Sequence, residues 1–177
     1  RNMAGPNHQG ESHFFLSFNR GKRSIGLDLT KPEGTAIVHT LAEQSDIAIE
    51  NFRPGVAKRL GVDYEALSAI NPRLIYVSIS AYGQQGPLSD RPGFDPVLQA
   101  ESGMMAMNGP IDGPQMRHPL SIIDTFTSLH ATTAIATALY ARTKTGKGQY
   151  IELALFDAAV AATSNAAQHY LTDGTQL

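Results

Sequence analysis

The sequence predicts an α/β fold assembled from parallel strand–helix–strand units. Three observations carry that prediction. Leu74-Ile75-Tyr76-Val77-Ser78-Ile79 is a continuous β-branched and aromatic run, the composition of a strand covered on both faces. Asp46-Ile47-Ala48-Ile49-Glu50 before it reads as a short buried strand, and Gln149 to Phe156 after it alternates as a strand should. Stretches of helical spacing lie between these runs, so strand and helix alternate along the chain.

Taken in order, residues 1–13 are polar and rich in Gly, Asn and His, and are expected to form an exposed loop. His8 and His13 stand five residues apart in a loop, short of the set of ligands a metal needs, so no metal site is expected there. Phe14 to Phe18 begins the folded part, expected to run over residues 14–171, with 172–177 as a tail. Arg20, Lys22 and Arg23 form a basic cluster that reads either as a solvated turn or as a cationic rim for a phosphate-bearing ligand. Ser24 to Leu29 alternates like a strand. Thr30 then reads as a helix cap, with Pro32 in the first turn and Glu33 three residues after the Thr. Ile37, Val38, Leu41 and Ala42 share one face of that helix.

Asn51-Phe52-Arg53-Pro54-Gly55 leaves the end of a predicted strand, the position at which open α/β sheets bind ligands, so Asn51 and Phe52 are candidates. Asp63 is expected to cap a short helix, Tyr64 to Ile70, which Asn71-Pro72 stops. Ala81 to Gly93 is longer than most purely structural connections, and it follows the central strand. Met104, Met105 and Met107 read as adaptable packing rather than a cofactor box. Asp157 is expected to cap a last helix through Ala158 to Leu171.

Composition narrows the function. The 177 residues suit one domain of ordinary size, and the net charge of −2 leaves no electrostatic footprint for nucleic acid. Cys is absent, which excludes disulfides, thiolate metal sites and a cysteine nucleophile. No apolar run approaches the roughly 20 residues of a membrane helix. A cytoplasmic protein is the expectation. The chain opens on Arg1 in loop-like sequence and is read as an internal piece of a longer protein.

Met116 to Tyr150 is the stretch around which the rest is organised. From Phe126 to Thr143 there is no Gly or Pro, basic residues gather near the end (Arg142, Lys144), and Gly146 is a stop signal. Asp124 falls at or near the start of this helix, where unpaired N–H groups and the helix dipole are expected to favour its ionised form. It reads either as an N-cap or as a functional carboxylate.

The motifs go further. NRGKRSIGLDLTKPEG, ENFRPGVAKRLGVDYEALSAINPRLIYVSISAYGQQGP, RPGFDPVLQAESGMM and DTFTSLHATTAIATALYARTKTGKGQYIELALFDA occur in that order with family-like spacing. Together they resemble the class III CoA-transferases, the CaiB/BaiF group that includes formyl-CoA and carnitine CoA-transferases, over about residues 14–171. The resemblance implies a Rossmann-like open, mostly parallel sheet with helices on both faces, forming an incomplete large domain. It implies transfer of coenzyme A from an acyl-CoA to a carboxylic acid, with Asp124 as nucleophile and an aspartyl-CoA thioester as intermediate. CoA would be a substrate, with no tightly bound cofactor and no metal. Its contacts carry over to Leu27, Asp28, Leu29, Thr30, Asn51, Phe52, Arg53 and Arg59, and to Pro92, Gly93, Phe94 and Asp95.

Two departures stand out: Thr30 replaces a Lys of a close family member, and Phe94 replaces a Tyr of some members. The first family strand would precede Arg1, and the glycine-rich loop over the intermediate would follow Leu177. The longer parent is expected to be an interlocked homodimer. A 2-methylacyl-CoA racemase is the nearest alternative, but the G-H-D segment of those enzymes reads Gly93-Phe94-Asp95 here, and Phe moves no proton. The other is a CoA-binding piece without turnover.

Overall fold

A computed structural model describes residues 7–174. The expected N-terminal loop lies outside the described residues up to position 6. Its remainder is a small antiparallel hairpin, β1 (Asn7–His8) and β2 (Glu11–Ser12). Ser12 then caps α1 (His13–Asn19), its Oγ accepting the Phe15 N–H at 3.1 Å. No residue of α1 is buried.

The strand expected at Ser24 to Leu29 does not form. Alternation makes a strand only where a neighbour can pair with it, and among the described residues none does; Ile25 remains 62% exposed. The cap after it also differs. In α2 (Pro32–Gln44) the N-cap residue is Lys31, without a side-chain cap bond. Thr30 instead donates its hydroxyl to Asp28 Oδ1 at 2.6 Å. Of the predicted face of α2, Val38 and Ala42 turn inward, while Ile37 and Leu41 are exposed.

The sheet has three parallel strands in the order β3 (Ile47–Glu50), β4 (Ile75–Ser80), β5 (Tyr150–Ala154). β4 is central and buried along nearly its whole length, as its composition predicts. β3 is an edge rather than a buried strand, and Ile49 is 59% exposed. Between β3 and β4 the chain forms α3 (Val56–Arg59) and α4 (Tyr64–Ile70); Asp63 holds the N-cap position of α4 without a side-chain cap bond. Between β4 and β5 come α5 (Asp95–Glu101) and α6 (Ile122–Thr145). After β5, α7 (Leu155–Ala162) and α8 (Ser164–Asp173) replace the single helix expected there. Asp157 lies inside the first turn of α7, not at its cap. The break falls at Thr163, whose hydroxyl bonds back to the Ala159 and Val160 carbonyls and bends the chain.

Helices cover both sheet faces. Ala42 of α2 and Leu67 of α4 pack with Leu74 and Tyr76 on one face. Ala138, Ile135 and Leu139 of α6 pack on Ile75 and Val77 on the other. A third cluster joins α5, the start of α6 and α7 through Leu98, Ile123, Leu155 and Ala159. Burying Leu98 and Ile123 completely contributes roughly 2 kcal/mol each. The far end of α6 is tied down as well. Gly146 closes it in a left-handed conformation, and Arg142 pairs with Asp46 at 2.7 Å. Gly148 passes so close to the Leu74 carbonyl that any side chain there would collide with backbone.

Candidate functional site

The predicted site residues fall into three groups. The first surrounds a groove of about 530 Å³ lined by Leu29, Thr30, Lys31, Thr35, His39 and Arg59. Two side chains of α2, one turn apart, draw these distant segments together. Thr35 donates its hydroxyl towards the Leu29 and Leu60 carbonyls, both at 3.3 Å, and the His39 ring bonds the Gly61 carbonyl at 2.8 Å. Neither residue was singled out from sequence. Their i, i+4 spacing on the face towards α3 was the available signal. Arg59 is exposed and has no partner among the described residues. Leu27 and Asp28 lead into the groove without lining it. The Asp28 carboxyl is held below the usual carboxylate range, first by the Thr30 hydroxyl and then by the Thr30 N–H.

The second group lines a cavity of about 240 Å³ at the carboxyl ends of β3 and β4. Here the structure brings Asn51, Phe52 and Arg53 against Pro92, Gly93 and Phe94. Asn51 donates its amide to the Ile79 carbonyl at 2.7 Å, and the Phe52 N–H bonds Glu50 Oε2 at 2.7 Å. The Ala81 to Gly93 loop is folded by Glu101, which pairs with Arg91 and accepts the Tyr82 hydroxyl at 2.7 Å. Those contacts, led by the Tyr82 hydrogen bond, hold the Glu101 carboxyl below its ordinary value. Gly93 abuts Ala81 and the Tyr82 ring, leaving no room for a Cβ. Phe94 is 62% exposed. At the end of β4 the buried Ser80 hydroxyl has no partner among the described residues, and it too lines this cavity.

The third group is the start of α6. Ser121 is the N-cap residue and makes no side-chain cap bond, so Asp124 is the third helical residue rather than the cap. The cap comes from another element. Asp95, only 4% exposed, accepts the Ile123 N–H at 2.7 Å and the Asp124 N–H at 3.2 Å through Oδ2. The Ile122 and Thr125 N–H groups go to the Leu120 and Ser121 carbonyls. All four N–H groups of the first turn are therefore taken, and none remains to favour the ionised Asp124 or to hold an oxyanion. The Asp124 side chain faces solvent and makes no hydrogen bond among the described residues. Desolvation by the protein beneath it, and then the negative charge of Asp95, push its carboxyl above the ordinary value. This is the opposite of the direction expected for a helix start.

Asp95 itself, carried over as a CoA contact, has both oxygens engaged inside the protein. It caps the helix that carries the candidate nucleophile. Gln99, which sequence reading passed over, completes the arrangement. It is fully buried and accepts the His118 N–H at 2.8 Å. Met104 packs against the third core cluster, as expected of adaptable filling. Among the described residues, no group of three or more His, Asp or Glu side chains is arranged to hold a metal ion, and no helix is long and apolar enough to cross a membrane.

Comparison with known proteins agrees in sequence and in shape. The chain is 43% identical over 162 residues to succinate–glutarate CoA-transferase of Agrobacterium fabrum, covering 91% of this chain and 40% of that protein. It is 44% identical over 163 residues to acetyl-CoA:oxalate CoA-transferase of Acetobacter aceti, with 92% and 42% covered. A CaiB/BaiF family protein from Brucella suis superposes with a TM-score of 0.92 at 40% identity, over 97% of this chain and 46% of that one. The Rv3272 protein of Mycobacterium tuberculosis gives 0.81 at 33% identity, over 86% and 44%. The chain thus spans about 40% of the length of the curated relatives it matches. The family described as CoA-transferase family III matches residues 1–177. With that match along its whole length, the chain belongs to the CoA-transferase family III.

Proposed function

We propose that this chain carries the nucleophile and part of the CoA-binding surface of an enzyme that moves coenzyme A from an acyl-CoA to a small carboxylic acid. The observation that carries the reading is the state of Asp124: an open carboxyl at the start of α6, with no hydrogen bond of its own and with its affinity for protons raised. A carboxylate that is poorly stabilised as an anion is the more basic and the more nucleophilic one.

The reaction then balances in four exchanges. The Asp124 carboxylate attacks the thioester carbonyl, expelling CoA thiolate and forming a mixed anhydride. The thiolate attacks the aspartyl carbonyl, releasing the donor acid as its carboxylate and leaving an aspartyl-CoA thioester. The acceptor carboxylate attacks that thioester, giving a second anhydride and thiolate. Thiolate attack on the acceptor acyl carbonyl produces the new acyl-CoA and restores Asp124. Because the first-turn N–H groups of α6 are taken, the donors for the tetrahedral oxyanions are groups other than these.

Arg59, with no partner among the described residues, suits the phosphates of CoA, and the groove beside Leu29 and Thr30 suits the nucleotide. The cavity at Asn51 to Arg53 and Pro92 to Phe94 lies next in sequence to Asp95 and suits the pantetheine arm. Relatives named for succinate, glutarate and oxalate support a small acid as acceptor. Phe94 has no proton to move, which disfavours racemisation. A cytoplasmic homodimer is the setting we assign to the parent.

The test is hydroxylamine trapping on the full-length protein after incubation with a series of acyl-CoA donors. Modification at Asp124, lost together with transfer in Asp124→Ala, is the expected result. Transfer that survives Asp124→Ala would overturn the assignment.

A further inference from the structure

We propose that Gln99 is a positioning residue: it holds the Asp95 carboxyl group against the start of α6 and thereby sets the surroundings in which Asp124 acts. The inference rests on the reading of Asp124 as nucleophile. Gln99 touches no reacting atom and works through Asp95.

Gln99 lies one turn beyond Asp95 on α5, so both side chains project from the same helix face. It is 0% exposed, and burying an amide without partners would be costly. Every polar group on it is matched. Its Nε2 donates to Asp95 Oδ1 and reaches the Leu120 carbonyl at 3.3 Å and the His118 carbonyl at 3.5 Å. Its Oε1 accepts the His118 N–H at 2.8 Å. Only one orientation of the amide satisfies these neighbours, because the reverse would set oxygen against oxygen at Asp95 and N–H against N–H at His118.

The bonds to Asp95 run in one direction as well. It receives the Gln99 amide, the Ile123 N–H and the Asp124 N–H, and has no acceptor partner among the described residues. Titratable and charged groups on the surrounding elements include Asp124 at the start of α6, Arg117 and His118 in the approach to it, Asp157 in the first turn of α7, and the Glu101–Arg91 pair at the end of α5. The His118 ring accepts the Leu120 N–H through Nδ1 at 3.2 Å. Gln99 is the side chain that joins α5, the 118–120 segment and, through Asp95, α6.

Two replacements separate this role from simple packing. Gln99→Met keeps length and apolar volume but donates nothing. Gln99→Glu keeps the shape but replaces the donor facing Asp95 with an acceptor. In the full-length protein, a folded Gln99→Met is expected to speed hydrogen exchange at the Ile123 and Asp124 N–H groups, which Asp95 holds, by about tenfold. It should also lower kcat about tenfold or more while leaving the KM for acyl-CoA in place, as for a lost interaction made only in the transition state. Gln99→Glu should melt below the unsubstituted protein at about pH 8 and recover towards it near pH 5, where the introduced carboxyl can carry a proton and donate as the amide does. Unchanged exchange at the Ile123 and Asp124 N–H groups in folded Gln99→Met, or a Gln99→Glu melting deficit that is the same at both pH values, would overturn the proposal. Failure to trap Asp124 in the unsubstituted protein would sink the transfer reading instead, and the amide exchange would still decide the role of Gln99.

Discussion

Around Asp95 every polar group has a counterpart: three donors meet one carboxylate, the Gln99 amide is matched on both sides, and Leu98 and Ile123 pack without exposure beneath them. The groove between Leu29 and Arg59 is built differently. Its floor is stitched by Thr35 and His39, but Lys31 and Arg59 stand at its rim exposed and without partners among the described residues. On the proposed reading, the contrast follows from what each region does. A reacting group gains from surroundings that are already arranged before substrate arrives. A binding rim gains from donors left free, because a phosphate can then take them without displacing an internal partner.

Substitutions at the two regions should therefore fail in different ways. The largest effect is expected at Asp95. Asp95→Ala removes the cap of α6 and strands the buried Gln99 amide, and should cost about 2 kcal/mol in denaturant unfolding. Asp95→Asn keeps much of the shape but removes the charge, and the Asp124 carboxyl should titrate closer to its ordinary value. If Asp95→Ala unfolds with the stability of the unsubstituted protein, the pre-arranged character of this region is wrong.

Arg59→Ala should do the reverse. Its unfolding midpoint should stay put while affinity for CoA in the full-length protein, read by calorimetry, falls about tenfold. Unchanged CoA affinity would detach Arg59 from the ligand.

The smallest effect on stability is expected from Asp124→Asn, and its sign is the informative part. A carboxyl whose folded pKa is raised subtracts stability above that pKa, and the loss disappears as pH falls below the unfolded value. Asp124→Asn should thus melt slightly higher than the unsubstituted protein near neutrality and alike in strong acid. A lower melting point near neutrality would mean that the fold favours the charged form after all.

Much of this was legible in the residues. The β-branched run of β4 and the uninterrupted helical spacing of α6 each encode their element locally, and both form where expected. The loops at Asn51 and Pro92 could be named because strand ends in open α/β sheets are ligand positions, and the structure brings them to one cavity. Ser24 to Leu29 shows where such reading stops. Its alternation is sound, yet pairing is a property of a neighbour, and none of the described residues supplies one. Thr30 makes the same point on a smaller scale. It has the composition of a cap, but its hydroxyl goes to Asp28 rather than to the helix.

Asp124 was picked out from its place at a helix start and from the motif around it, which is local information. The long helix behind it and the central strand beneath are likewise set by residues close in sequence. What only the tertiary structure decided is the condition of that carboxyl. Two of the N–H groups expected to favour its charge are taken by Asp95, a residue 28–29 positions away from the N–H groups it caps. Asp95 is in turn held by an amide whose other partners lie 19–21 positions further along. Hydrogen-bond capacity is visible in a sequence, but which donor meets which acceptor across such separations depends on how α5, α6 and α7 pack. That packing desolvates Asp124 and sets the charge of Asp95 beside it, and both push its carboxyl above the ordinary value.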